Sequence, residues 1–377
     1  MLSLLAMFAA SVAHAQSAPD LTLTGVLTEA DHQTYREVPF DVPAGVTSLS
    51  VEFAYTGREQ KAVIDLGLRD PQRFRGWSGG NKTSFAVAET YATASYLPGP
   101  LPAGQWRLIL GVPNLRKGQR AEYVAKVSFG RDADFRGFAA APLKTAPGWY
   151  RGDLHLHTGD SDGYCASHSG VAAPCPMFKT LEAAVAGGLD FVVVTEHNAT
   201  SHHQGLAGLQ PHFDDLLLIP GREITTFQGH AGVWGPVAPI DFQLGGLRAP
   251  EFAAIAAQAH QAGGMVAINH PMLPSGELCM GCGWTAKTDY AGVDAVEVVN
   301  GATLAQTRSD TVFSGIPFWE ARLNEGWRLT AVGGSDNHDA TRPAKEAGAV
   351  GRPTTVVWAE ALSQPAILAG LKSGRVF

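Results

Sequence analysis

The chain has 377 residues, of which 45% are hydrophobic and 17% are charged, and this length is sufficient for two domains with a large buried core. Its formal net charge is −7, which disfavours a nucleic-acid partner because proteins that bind polyanions usually present a basic face. The composition is that of an ordinary globular protein.

The first twenty residues are typical of a secretion signal. Residues 2–12 form an apolar run that is too short to span a bilayer, and it leads into Ala13-His14-Ala15, a small-x-small cleavage pattern. We expect residues 1–15 to be removed and the chain to be exported, as a periplasmic or secreted protein without a membrane span. The alternative is an apolar disordered tail, since no Lys or Arg precedes Arg36.

Residues 20–135 are predicted to form a small all-β sandwich domain. Segments such as LTLTGVL, TSLSVEFAYT and AEYVAKVSF alternate apolar and polar residues between turns that contain Gly or Pro. No helical stretch of convincing length interrupts them, and short strands at this spacing are typical of a sandwich. The segment resembles the jelly-roll-like modules that accompany secreted hydrolases.

The composition changes near the loop 138–148, since eleven of the thirteen histidines lie between residues 155 and 338. From residue 149 onward, candidate strands alternate with candidate helices. The strands are predicted at 190–196, 216–223, 264–271, 294–301 and 329–336, and the helices at 178–188, 250–264 and 317–326. Repeated strand–helix units predict a parallel sheet, either closed as a barrel or open.

The four cysteines form two close pairs in the sequence. Cys165 and Cys175 lie in one insertion, and Cys279 and Cys282 lie in another. An even number of cysteines in an exported chain favours disulfides. Three pairings are possible, and the local one, 165–175 with 279–282, is the simplest. A zinc knuckle at Cys279 and Cys282 is the alternative, although the sequence contains a single CxxC.

Polar clusters follow the predicted strands. The first is GDLHLHTGDSDG, residues 152–163, and the later ones are TEHN, PGREITTFQGH, INHP and GGSDNHD. His155 and His157 are two positions apart on a strand, so their side chains point the same way and suit one ion. In a (β/α) barrel all strand ends share the rim on which active sites lie. Because buried charge is costly unless it is paired or bound to metal, these clusters predict a metal site.

The ordered motifs HxH…SDG, TEHN, GxE, GH, NHP and SDxH resemble those of the PHP (polymerase and histidinol phosphatase) family. The flanking segments VEVVNG and GGSDNHD are most similar to its carbaryl-hydrolase type. The similarity spans residues 149–377 and implies an α/β fold, a distorted (β/α)7 barrel that holds two or three divalent metal ions.

This resemblance also implies three groups of metal ligands. The ligands of the first ion are His155, His157, Glu223 and Asp336. Those of the second ion are Glu223, as a bridge, His230 and His270. Those of the third ion are Asp162, His197 and His338. Asp162 stands where some relatives carry His, so the third site is expected to bind its ion less tightly or to stay unfilled. Nitrogen and oxygen donors without a thiolate suit Zn, Mn or Fe.

A bridging carboxylate holds two cations close together. A water bound between the cations loses its proton near neutral pH and can then attack an ester. The predicted function is therefore metal-dependent hydrolysis of a small-molecule ester, most simply a phosphoester, because a third ion can clamp a phosphate oxygen. The alternatives are a carbamate or carboxylic ester, and a non-catalytic metal-containing binding module. No Ser or Cys nucleophile with a fitting base is recognised.

Glu223, Asp336 and Arg222 are the predicted catalytic residues. Arg222, beside Glu223, is positioned in sequence to bind an anionic substrate, and a salt bridge at the rim is its alternative role. Three further histidines follow the predicted metal-binding motifs: His168 after GDLHLHTGDSDG, and His202 and His203 after TEHN. We expect these three to be solvated loop residues.

Overall fold

The computed structural model describes residues 18–130, 135, 137–139, 141–277, 279–308 and 312–377. The expected signal, residues 1–15, lies outside this part of the chain. Among the described residues, no helix is both long enough and apolar enough to cross a bilayer.

The first part of the chain forms two antiparallel sheets of four strands each. The strands are β1 (Leu21–Thr28), β2 (Tyr35–Val42), β3 (Ser48–Tyr55), β4 (Val63–Arg69), β5 (Phe74–Gly79), β6 (Ser84–Ala88), β7 (Gly104–Asn114) and β8 (Arg120–Gly130). The sheet orders are β1-β8-β3-β6 and β2-β7-β4-β5. Leu49 and Val51 of one sheet and Leu66 and Leu68 of the other belong to one shared core, as the alternation in the sequence predicts.

The second part forms one sheet of eight strands with helices around it. Its strands are β9 (Gly148–Asp153), β12 (Phe191–Val194), β13 (Leu217–Thr226), β14 (Gly229–Trp234), β15 (Met265–Asn269), β16 (Ala295–Asn300), β17 (Thr330–Gly334) and β18 (Thr355–Ala359). The short strands β10 (Tyr164–Ala166) and β11 (Ala172–Pro174) pair separately. The helices are α1 (Met177–Ala186), α2 (His202–Leu209), α3 (Phe252–Gln261), α4 (Gly301–Thr307), α5 (Ile316–Asn324) and α6 (Gln364–Lys372).

The α/β class is confirmed, but the sheet differs from the seven-stranded layout that the resemblance implies. Its order is β17-β16-β15-β14-β13-β12-β9-β18, and three neighbouring pairs, β13–β14, β14–β15 and β9–β18, are antiparallel. Only Phe227 and Gln228 separate β13 from β14, which is too short for the helical crossover that parallel strands need.

The sheet is nearly closed into a barrel. Strands β17 and β18 form no ladder in the described chain, and a side chain joins them instead. The hydroxyl of Thr355 donates to the carbonyl oxygen of Gly333 at 2.7 Å and accepts from its N–H at 2.9 Å. The carboxyl ends of the parallel strands therefore face a common mouth.

Helix α3 shows how the sequence pattern selects the buried face. Its buried residues are Phe252, Ile255, Ala256 and Ala259, and their spacing of i, i+3, i+4 and i+7 is that of an amphipathic helix. The helix ends before Gly263, whose φ of +78° is left-handed, as is common after a helix C-terminus.

The two parts contact each other beside α2. The backbone N–H of Ala92 donates to Gln204 Oε1 at 2.7 Å, and the Thr90 hydroxyl donates to the Val237 carbonyl oxygen. Tyr91 packs with Val237 in a small apolar cluster. The domain boundaries 20–135 and 149–377 remain predictions.

Candidate metal centre

The carboxylate of Glu223 lies at the centre of the histidine cluster. Glu223 is on β13 and only 1% exposed, and five imidazoles approach its two oxygens. The contacts are His155 Nε2 at 3.3 Å, His157 Nε2 at 3.8 Å, His197 Nδ1 at 2.9 Å, His230 Nδ1 at 3.4 Å and His270 Nε2 at 3.1 Å. Side chains that are up to 115 positions apart in the sequence thus converge on one carboxylate, from 155 to 270.

Asp336 forms a second carboxylate wall of the same cluster. Its Oδ1 lies 3.2 Å from the Nε2 atoms of both His155 and His157 and 3.7 Å from His338 Nδ1. Asp336 and His270 have φ values of +49° and +27°, which are unfavourable for residues with a Cβ. Such strain is common where a site dictates the direction of a side chain.

Asp162 joins the cluster from the loop after β9. Its Oδ1 lies 3.3 Å from His338 Nε2 and 3.6 Å from His197 Nε2. The rings of His197 and His338 each lie 4.3 Å from the ring of His157. His157 therefore lies next to the three predicted ligands of the third ion. The four ligand atoms, one each from His157, Asp162, His197 and His338, lie within 4.8 Å of one another. All nine predicted ligands lie in this cluster, and the role of each in binding metal stays a prediction.

The strand ends explain this convergence. Asp153, the last residue of β9, is buried and accepts N–H groups from His155 at 3.2 Å, Ser335 at 3.0 Å and Gly351 at 2.7 Å. This carboxylate ties the turn that carries His155 to the turn that carries Asp336. The HxH and SDxH motifs are therefore both hydrogen-bonded to the Asp153 carboxylate.

Glu297 is a site residue that the sequence analysis missed. Its Oε1 lies 3.1 Å from His155 Nδ1, and its Oε2 accepts the His270 N–H at 2.9 Å and an amide N–H of Asn300 at 3.1 Å. A carboxylate on the far nitrogen of a ligating imidazole fixes its orientation and tautomer. The signal in the sequence was the charge in VEVVN, a segment otherwise typical of a buried strand.

The amide of Asn269 was also missed. It donates to Glu223 Oε1 at 2.9 Å, and its own oxygen accepts the Gly232 N–H at 3.1 Å. The INHP motif therefore contributes two neighbouring residues to the cluster, and Asn269 fixes one oxygen of the central carboxylate.

The charges in the cluster keep its carboxylates ionised, and against the effect of burial the carboxylates raise the pKa of four histidines: His155, His197, His270 and His338. Burial raises the pKa of Glu223, but the charges of His155 and His230 outweigh it and hold that pKa well below its usual value. Burial, with the charge of His338, lowers the pKa of His157 to about 3. His155 Nε2 and Glu223 Oε2 are buried without a hydrogen-bond partner among the described residues, which fits donors directed at an ion.

A cavity of about 540 Å³ opens onto the cluster. Several predicted ligands line it, together with Tyr164, Leu273, Met280, Arg342 and the carboxylates of Glu277 and Asp339. The half-buried Arg342 provides a cation that can contact an anionic group next to the candidate metal ligands.

Arg222, a predicted catalytic residue, does not line this cavity. It neighbours Glu223 on β13, so its side chain points to the opposite face of the strand. It is 2% exposed and its guanidinium donates to the Ala238 carbonyl oxygen at 2.5 Å. The prediction that Arg222 contacts the substrate is corrected accordingly.

His202 and His203 are buried in α2, where solvated loop residues were expected. Their exposed fractions are 1% and 0%, and the Nε2 of His202 lies 3.0 Å from the Gly221 carbonyl oxygen. His203 Nδ1 also lies 3.3 Å from the Thr90 hydroxyl of the β-sandwich, a contact that the local sequence pattern does not reveal. His168 is exposed as expected.

Both local disulfides are present. Cys165–Cys175 joins β10 to β11, and Cys279–Cys282 lies in the segment after β15. The simplest of the pairings considered from the sequence is thus the observed one.

Ser161 lies in a Gly-x-Ser-x-Gly sequence, Gly159–Gly163, which is the motif of one class of covalent serine hydrolases and was not predicted from the sequence. In hydrolases that use this motif the serine sits between a strand and a helix and contacts a histidine. Here it lies in the loop after β9, and its hydroxyl donates to the Glu196 carboxylate. This geometry does not favour a serine nucleophile.

Neither family models nor curated proteins match the chain. Among solved structures, it is similar to a two-domain protein from Bacteroides vulgatus that contains a predicted PHP-like metal-dependent phosphoesterase, with 23% identity, a TM-score of 0.42, and 64% of this chain and 68% of that chain covered. It is also similar to a proposed metal-dependent phosphoesterase from Bifidobacterium adolescentis, with 16% identity, a TM-score of 0.35, and 53% and 91% covered. Neither name mentions a carbaryl hydrolase.

Proposed function

We propose that the chain is a metal-dependent hydrolase of the PHP type that acts on small phosphoesters. The observation that carries this proposal is the buried Glu223 carboxylate with five imidazoles around it. A closed structural metal site has no need for a shared carboxylate or for an adjoining cavity. Both features are typical of catalytic sites that hold more than one ion.

The residues fit two to three divalent ions, with Zn, Mn and Fe as candidates. The proposed ligands are His155, His157, Asp162, His197, Glu223, His230, His270, Asp336 and His338. When bound, such ions supply Lewis acidity and an activated water. Glu297 and Asn269 hold the ligand side chains in place through the contacts described above.

Arg342 supports a phosphoester over a neutral ester as substrate. Arg342 lines the same cavity as Asp336 and His338. Its backbone N–H donates to the Asp339 carbonyl oxygen at 3.0 Å, which fixes the turn that carries it. A guanidinium binds a phosphate through charge-assisted hydrogen bonds, which a neutral carbamate does not provide.

A carbamate or carboxylic ester is the second candidate substrate. The wall residues Leu273 and Met280 offer apolar surface to an apolar acyl or leaving group. This substrate class would be the carbaryl-hydrolase type of activity. It requires no contact with Arg342.

Three substrates separate these proposals: p-nitrophenyl phosphate, a p-nitrophenyl carboxylic ester and 1-naphthyl N-methylcarbamate. We expect the protein with bound Mn, Zn or Fe to hydrolyse the phosphate fastest. The variant Arg342→Met should lose roughly 10- to 100-fold in kcat/KM for the phosphate, as expected for one charge-assisted hydrogen bond, and little for the ester. Arg328→Met, an exposed arginine outside this cavity, is the matched control.

Metal analysis provides the second test. We expect two to three ions per chain after purification without added metal, and a large loss of both metal and activity in Glu223→Ala. Normal metal content and activity in that variant would contradict the central role of Glu223. Bound metal with no turnover of any substrate would instead favour the non-catalytic binding module.

A further inference from the structure

The Cys279–Cys282 disulfide lies directly beside the metal centre. Cys279 lines the cavity, and Cys282 is buried with its Sγ 3.8 Å from His230 Nδ1. The same Nδ1 lies 3.4 Å from Glu223 Oε1. One nitrogen atom thus faces the central carboxylate on one side and a sulfur on the other.

The loop that carries the cysteines also orients this histidine. His230 Nε2 lies 3.2 Å from the Met280 carbonyl oxygen, an acceptor, so Nε2 is the nitrogen that carries the proton. Nδ1 is then left with its lone pair, as a metal ligand requires. The CxxC loop therefore sets the tautomer of the residue that its sulfur atoms contact.

The same loop is held against the sheet at Gly281. Its φ is +84°, and a Cβ there would lie 2.1 Å from the Thr226 carbonyl oxygen on β13. The Gly281 N–H also donates to the Ser275 hydroxyl at 3.0 Å. These contacts fix the positions of both cysteines relative to His230.

A lone CxxC provides two sulfur ligands, which is too few for a zinc site. The fold adds a third donor from β14, since His230 Nδ1 and the two sulfur atoms lie within 4.8 Å of one another. One imidazole and two thiolates form a donor set that zinc and other thiophilic cations prefer, with a fourth position left for water or substrate. This set differs from the imidazole and carboxylate donors around Glu223, which include no sulfur.

We propose that reduction of the Cys279–Cys282 disulfide creates a second kind of metal site, formed by His230, Cys279 and Cys282, for a thiophilic divalent cation such as Zn²⁺. A dithiol reductant breaks the S–S bond, supplies two electrons and two protons, and closes to its own disulfide. The two new thiols release their protons when the cation binds. Because His230 has one Nδ1, an ion held there competes with the proposed second ion at Glu223.

Cobalt(II) is the probe for this site, because thiolate ligation produces a near-ultraviolet charge-transfer band that nitrogen and oxygen ligands do not. The full-length chain is examined before and after reduction with dithiothreitol, which is removed before Co²⁺ is added. We expect the band in the reduced chain and not in the oxidised chain. It should disappear when the chain is reoxidised after cobalt is removed.

Two double variants identify which cysteines produce the charge-transfer band. Cys279→Ser/Cys282→Ser should lack it after reduction, whereas Cys165→Ser/Cys175→Ser, which removes the other disulfide, should keep it. Absence of the band in the reduced wild-type chain would overturn the proposal, and so would its persistence in the first variant. The comparison of redox states needs no variant to fold. Ester hydrolysis is not involved, so failure here is distinct from failure of the proposed function.

Discussion

His202 provides a quantitative test of how α2 packs beneath the metal centre. Its Nε2 lies 3.0 Å from the carbonyl oxygen of Gly221, two residues before Glu223. Burial, reinforced by the charge of Arg222, lowers the pKa of His202 to about 3. In the folded chain this imidazole is therefore neutral throughout the range from pH 8 to pH 5.

In the unfolded chain the same residue titrates near pH 6.5. Below that pH the unfolded state binds a proton that the folded state does not, so the free energy of unfolding falls as the pH falls. From an unfolded pKa of about 6.5, the loss between pH 8 and pH 5 is about 2 kcal/mol. The folded pKa is too low to change this value within that range.

The variant His202→Gln keeps an amide N–H for Gly221 but does not titrate. We expect its free energy of unfolding, measured by urea denaturation with a chelator present, to fall by about 2 kcal/mol less between pH 8 and pH 5 than that of the wild type. The exposed His168→Gln variant should match the wild type. Equal pH dependence in His202→Gln and wild type would refute the inference that this residue is buried and neutral.

Three further substitutions test other parts of the structure. Glu297→Gln removes the carboxylate on His155 Nδ1 and should weaken metal binding by about 10- to 100-fold, measured by competition with a chelator. Asp70→Asn leaves the buried Arg75, its partner at 3.0 Å, without a counter-charge and should destabilise the fold by about 3–5 kcal/mol in denaturant. Gly152→Ala places a Cβ 2.2 Å from the ring of Phe191 and should cost about 1–3 kcal/mol in thermal unfolding.

Each of these has a matched control. Glu320→Gln on the exposed face of α5 should leave metal affinity unchanged. If Glu297→Gln also left metal affinity unchanged, the inference that Glu297 orients His155 would be wrong. Glu122→Gln breaks an exposed ion pair and should cost under about 1 kcal/mol; an equally small cost at Asp70 would contradict its pairing. A Cβ at Gly148 would meet open space, so Gly148→Ala should be tolerated, and equal tolerance of Gly152→Ala would be evidence against the packing.

The strand ends were predictable because the relevant signals are local. His155, His270 and Asp336 each lie one or two residues beyond the end of a strand, and parallel strands bring such positions to one end of the barrel. The cluster therefore followed from pattern and topology together. Glu297, which contacts the other ring nitrogen of His155, could not be predicted in this way, because its contact depends on the strand order that places β16 between β15 and β17.

The errors had a similar origin. Arg222 was judged by its neighbour in sequence, whereas the face of the strand decides where the side chain points. His202 was judged a loop residue because nothing local indicates that His202–Leu209 forms a helix with this side chain packed against β13. Strand β14 was not among the predicted strands, because the two-residue turn before it does not by itself distinguish a hairpin from a continuation of β13.

The cavity wall and the metal donors come from different kinds of structure. Five of the nine proposed ligands lie within a strand or within two residues of its end, whereas Leu273 and Met280 belong to the segment between β15 and β16. Loops of this kind tolerate substitution and insertion far better than strands. Over evolutionary time, changes in that segment can therefore alter which ligands the cavity admits while the side chains of the candidate metal centre stay the same.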